Sequence, residues 1–194
     1  MKFFGLQATA EYGLSLQIVS ICATMAAVWV QVKWPMAFQL RARGNSPALR
    51  RLIHPRIWLL IVTFLLLAGC ALVFGRPLLD WMNDQPWIHG RKNLVPTAWL
   101  LLLFANAFLE LQFTIWGTVI LTENRLPFLW PAVATNLSSL VLAVCLLQLT
   151  SLEIGAFVLA PLITGCMFNY WYWPREGAKS LQSTLFQFLF SRPA

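Results

Sequence analysis

Val95–Leu121 reads VPTAWLLLLFANAFLELQFTIWGTVIL, a run whose length and apolarity point to a membrane-spanning helix. A transmembrane helix needs about 20 predominantly apolar residues to cross roughly 30 Å of hydrocarbon. The stretch is long enough, and its single charge, Glu110, lies near the midpoint. A charged side chain at the bilayer centre costs roughly 2.5–3.5 kcal/mol on insertion scales and faces a cavity or a polar partner. Asn106, Glu110 and Thr114 follow an i, i+4, i+8 spacing, with Gly117 on the same face. That makes one polar stripe on an otherwise apolar helix. Glu110 is therefore the leading candidate for an interior site, as a proton or cation site or as a partner for a polar substrate. The structural alternative is an interhelical hydrogen bond that holds the bundle together.

On either side of it, further apolar stretches cover Gly13–Trp34, Ile57–Phe74, Leu126–Leu149 and Leu152–Trp173. With Val95–Leu121 they make five expected spans, so the predicted fold is an all-α polytopic helix bundle over residues 1–174. Residues 175–194 form a tail. The spacing Leu181, Leu185, Phe188 and Leu189 predicts an interfacial amphipathic helix over Ala178–Phe190. Pro77–Trp87, which mixes Trp81 and Met82 with Asp80 and Asp84, reads as a second interfacial segment. The joints are Trp34-Pro35, Gly75-Arg76-Pro77, Thr122–Arg125, Thr150-Ser151 and Trp173-Pro174. Pro161 predicts a kink in the last span, because proline frees a carbonyl and bends a helix.

Composition agrees. Hydrophobic residues make up 59% of the 194 and charged residues 11%, against about 45–50% and about 25% in soluble domains. So few charges cannot cover a globule in water. Ten Trp and fourteen Phe suit aromatic belts at two interfaces. The net charge of +7 does not point to nucleic acid, because the basic residues lie in segments flanking apolar runs. Cys22, Cys70, Cys145 and Cys166 form no CxxC pair and have no acid or histidine at ligand spacing, so they read as packing residues, with no metal site and no cofactor implied.

Orientation follows from Lys and Arg. Residues 33–56 hold Lys33, Arg41, Arg43, Arg50, Arg51 and Arg56 and no acid. Placing them in the cytoplasm also puts Arg125, Arg175, Lys179 and Arg192 there, and leaves Lys2, Arg76, Arg91 and Lys92 outside. The positive-inside rule then sets the amino terminus outside and the carboxyl terminus in the cytoplasm. Arg41, Arg43, Arg50 and Arg51 are candidate contacts for anionic lipid headgroups, or serve only as a topology signal.

Other polar residues in the spans are Gln17, Ser20 and Thr24 in the first and Asn136 in the fourth. Gln17 and Asn136 join Asn106, Glu110 and Thr114 as candidate cavity residues. Signals for an enzyme are poor: His54 and His89 fall in expected loops, and no nucleophile constellation or phosphate-binding loop accompanies them.

Several stretches together resemble a known family: AEYGLSLQIV leading into the first span, KWPMAFQLRARGN after it, NRLPFLWPAVATNLSSLVLA, and LEIGAFVLAPLITG opening the last. They are similar to the polysaccharide (lipid-linked oligosaccharide) flippases of the multidrug/oligosaccharidyl-lipid/polysaccharide exporter superfamily. The matching positions are Tyr12-Gly13, Pro35 with Arg41 and Gly44, and Asn124 with Pro127. The resemblance implies a transporter of the bacterial inner membrane that flips a lipid-linked glycan. It also implies twelve spans in two halves, of which this chain offers five, fitting the carboxyl-terminal half. The expectations are a truncated or split transporter, a homo-oligomer, or a non-transporting subunit that binds a partner membrane protein.

Overall fold

The structure, a computed structural model, describes residues 5–85 and 92–190. It is an all-α bundle with no strand among the described residues. The elements are α1 (Leu6–Gln31), α2 (Trp34–Ala42), α3 (Ser46–Asn83), α4 (Thr97–Leu121), α5 (Leu129–Leu149), α6 (Ile154–Met167), α7 (Asn169–Ser180) and α8 (Leu185–Phe190). Four helical stretches are long and apolar enough to cross a membrane, and a fifth is reached if the bent pair α6–α7 counts as one span. This is the architecture of an integral membrane protein. Lys2, Trp87, His89, Arg91 and Arg192 lie outside the described residues.

Residues 33–56 are not a loop. Lys33 closes a brief break after α1, and Pro35 sits in the first turn of α2, where its missing N–H is no loss. Gly44 then ends α2 at φ +70°. Its N–H donates to the Arg41 carbonyl at 2.9 Å and the Asn45 N–H to the Leu40 carbonyl at 3.0 Å. This pair of bonds is a Schellman motif, which needs the left-handed residue that glycine supplies. Asn45 in turn caps α3, its side-chain oxygen accepting from the Ala48 N–H at 3.1 Å.

α3 is 38 residues long, with Pro55 and Pro77 inside it. At 1.5 Å per residue it extends about 57 Å, well beyond the hydrocarbon thickness. Pro77 therefore does not begin a separate interfacial segment; the helix absorbs it and runs on to Asn83. Leu49, Ile53, Ile57, Leu60, Phe64 and Ala68 are buried, one per turn along a single stripe. The stripe packs on α1, whose Val19, Cys22, Ala26 and Val30 present the matching face. Phe64 is wedged against Phe104 and Phe108 of α4, with ring centroids 6.2 and 5.5 Å apart. Without water to expel from between helices, such packing is what holds spans together.

α4 sits between α1 on one side and α6 and α7 on the other, and α5 lies outermost against α6. Among the described residues of α5 only Ala143 is buried, so its Leu, Val and Trp side chains face outward. The α5–α6 hairpin is as tight as Thr150-Ser151 predicts, with Glu153 at φ +48° entering α6. The bend in the last span is misplaced by the proline reading. α6 continues through Pro161 and breaks at Phe168 (φ −145°, ψ −56°), where α6 and α7 meet at 42°. Trp173-Pro174 does not end the span either, since Pro174 lies inside α7.

The tail is also shorter and more deeply packed than an interfacial helix over Ala178–Phe190. α7 stops at Ser180, Gln182 takes φ +55°, and α8 begins only at Leu185. Thr184 and Gln187 cap it reciprocally: the Gln187 N–H donates to Thr184 Oγ1 at 3.2 Å and the Thr184 N–H to Gln187 Oε1 at 3.3 Å. Phe188, fully buried, sits between His54 and Trp116 with ring centroids 5.5 and 5.1 Å away.

Candidate functional site

The polar stripes of α1 and α4 face one another across a groove of about 650 Å³. α1 lines it from Gly13 to Gln31, a run of about 27 Å at 1.5 Å per residue, close to the thickness of the hydrocarbon core. α4 contributes Ala107, Glu110, Leu111 and Thr114. Three expected cavity residues, Gln17, Glu110 and Thr114, thus meet in one place. Their spacing by near-multiples of a helical turn puts each set on one face, and the close approach of α1 to α4 brings the faces together.

Glu110 is exposed in the groove at mid-depth of α4. The Thr114 hydroxyl donates back to the Glu110 carbonyl at 2.9 Å, and the Thr24 hydroxyl to the Ser20 carbonyl at 2.8 Å. Their protons are spent on their own helices, so these hydroxyls offer only lone pairs to the groove. The carboxylate accepts, and the Gln17 and Gln31 amides both donate and accept. No lysine or arginine lines the groove among the described residues. The donor set fits a hydroxyl-rich ligand better than a bare phosphate.

Asn106 faces the Glu110 side chain one turn away and accepts from the Tyr170 hydroxyl at 2.9 Å. It is therefore a link between α4 and α7, behind Glu110, rather than a groove residue. Tyr170 was not legible as part of the site: it reads as one more aromatic at a span end, and only the 42° bend at Phe168 turns it toward α4. Asn136 is exposed on α5 and does not line the groove; the helix that carries it packs chiefly on α6.

The basic residues are placed differently from the expectation. Arg41 is committed to the bundle. Its Nε donates to Thr122 Oγ1 at 3.2 Å, Nη1 to the Ser180 carbonyl at 2.9 Å, and Nη2 to Glu123 Oε1 at 2.9 Å and Ser180 Oγ at 2.8 Å. One guanidinium thus clasps the end of α2, the α4–α5 turn and the end of α7. It is not available as a headgroup contact. Arg50 is half-buried and donates to the Gln187 carbonyl at 3.2 Å. His54, expected in a loop, lies on α3 with Nε2 3.4 Å from the Leu189 carbonyl, and Trp58 Nε1 donates to the same oxygen at 2.9 Å. These contacts strap α8 onto α3. Arg43 and Arg51 are exposed at the same basic end.

At the opposite end, the segment before α4 is pinned from two helices. The Val95 N–H donates to buried Ser15 Oγ of α1 at 3.1 Å, and Arg76 of α3 donates to the Val95 carbonyl at 3.2 Å. Comparison with protein families, with characterised proteins and with solved structures finds no match for this chain.

Proposed function

We propose that this chain is one lobe of a membrane transporter, and that it carries a lipid-linked oligosaccharide or polysaccharide precursor across the bacterial inner membrane, with its amino terminus outside and its carboxyl terminus in the cytoplasm. The observation that carries this reading is the groove between α1 and α4: it is about as long as the hydrocarbon is thick, and Gln17, Ser20, Thr24 and Gln31 are spaced along its mostly small and apolar lining, with Glu110 exposed at mid-depth. Sugar hydroxyls are polar groups that a carboxylate and amide side chains recognise without a cation. The lipid tail would lie against the apolar outer faces that α3 and α5 leave exposed, including Leu65, Leu66, Leu137 and Leu140. A carboxylate does not face bare lipid, so the groove is completed by a second copy of the chain or by a partner lobe.

A second reading is favoured by the small residues of the same groove. Gly13, Ser20, Ala23 and Ala27 would let another helix approach α1 closely, as in a subunit that binds a partner membrane protein without transporting. Glu110→Gln separates the two. Loss of glycan export at normal protein level and normal assembly supports transport. Loss of assembly alone supports the subunit. Asn136→Ala is the control, expected to leave both unchanged; an equal loss there would show that the groove is not the working surface.

A further inference from the structure

A second cavity, of about 380 Å³, opens at the end of the bundle away from the arginine clasp. Glu11 of α1, Arg76 and Asp80 of α3, and Lys92 of the returning segment line it, over an apolar floor of Leu79 and Leu94. Among the described residues the ion pairs are Arg41–Glu123 and Lys179–Glu176, so none of these four charges is spent on another of the four. Arg76 and Asp80 stand one turn apart on α3 yet do not pair with each other.

The frame around the charges is fixed. Asn83 clips the backbone of Lys92 on both sides, Nδ2 donating to its carbonyl at 2.8 Å and Oδ1 accepting from its N–H at 2.9 Å. Ser15 and Arg76 hold Val95 three residues on. Side chains mounted on a pinned backbone lose less freedom when they bind. On the face of α3 turned away from the cavity, Leu78 and Trp81 are exposed by 55% and 61%, the kind of surface that sits at a membrane interface, so this end of the bundle lies at headgroup depth.

We propose that this cavity binds the phosphoethanolamine headgroup of a membrane lipid, with the phosphate between Arg76 and Lys92 and the ammonium between Glu11 and Asp80. Two bases and two acids in a cavity of ligand size match a zwitterion and neither a simple anion nor a simple cation. Carboxylates accept N–H bonds, which a primary ammonium donates and a quaternary one cannot. Quaternary ammonium groups are taken by aromatic cages, and no aromatic residue lines this cavity among the described ones.

The test is native mass spectrometry of the full chain from nanodiscs of equal phosphatidylethanolamine, phosphatidylglycerol and phosphatidylcholine, counting the lipids it retains. Phosphatidylethanolamine is expected to be enriched about tenfold, the effect of two partly exposed charge contacts together. The Glu11→Gln/Asp80→Asn double variant should shift the preference to phosphatidylglycerol, and Arg76→Gln/Lys92→Gln should abolish it. No preference in the wild type, which needs no variant to fold, overturns the proposal. So does a preference that survives both double variants. Saturable binding of soluble O-phosphoethanolamine without any lipid enrichment overturns the lipid assignment. Glu110→Gln should keep the preference, so this site and the transport reading fail separately.

Discussion

Arg41→Met is the most informative perturbation of the fold. The wild-type guanidinium makes four hydrogen bonds to three partners, and its ion pair with Glu123 is shielded, the side chains being 14% and 27% exposed. Removing one member of a buried pair costs about 3–5 kcal/mol, because the other charge is left unpaired. Glu123 retains some access to water and can rehydrate, so the lower end applies, about 3 kcal/mol. At roughly 2–4 °C per kcal/mol for a chain of this size, the melting temperature should fall by about 6–12 °C. Thermal unfolding in nanodiscs, followed by tryptophan fluorescence, reads this directly. Arg41→Lys should recover little, since a single ammonium cannot reproduce the fork that spans Thr122, Glu123 and Ser180. A double-mutant cycle with Glu123→Gln should return a coupling of about 1–2 kcal/mol. A fall of under about 2 °C, or zero coupling, would refute the idea that this arginine joins the three elements.

Two further outcomes follow from packing. Gly177→Ala would place a Cβ 2.7 Å from Trp116 Cε3 and 3.2 Å from the Trp116 carbonyl oxygen, where α7 crosses α4. Overpacking of this kind costs about 1–3 kcal/mol, and thermal unfolding with no loss of stability would show that the helices separate freely there. Phe188→Ala empties the fully buried slot between His54 and Trp116, at a cost of about 3–5 kcal/mol for losing a buried phenylalanine. A six-residue helix cannot absorb that, so α8 should detach. Limited proteolysis should then cut within residues 181–184 much faster than in the wild type; an unchanged rate would mean that the strap is held by its backbone contacts alone.

Much of this was legible in local sequence, including some signals that are easily passed over. Arg41–Asn45 (RARGN) carries the helix stop and the next N-cap, followed by Pro47, so the basic region is two helix ends rather than a loop. Thr184–Gln187 (TLFQ) has the spacing of a capping box and marks the start of α8. The bend at Phe168 has no comparable signal. Gly165 is overlaid by the Tyr170 ring so closely that a Cβ would collide with it, and that contact lies across the break rather than within a turn of regular helix. Proline at 161 was the visible candidate, yet within a membrane bundle neighbouring groups can satisfy what a proline frees.

The class and the site's ingredients are written in the chain. Apolar runs of spanning length force helices, because a backbone in hydrocarbon must bond to itself. A 3.6-residue period then places Gln17 on one face of α1, and Glu110 and Thr114 on one face of α4. Which faces meet depends on how the helices pack. The approach of α1 to α4 made two stripes into one groove, left Asn136 outside it, and turned Asn106 toward Tyr170. Arg41 shows the same division. Its charge and its place at the basic end can be read from the chain. Its partners lie 81, 82 and 139 residues away, and no local pattern encodes contacts that exist only once the helices have packed.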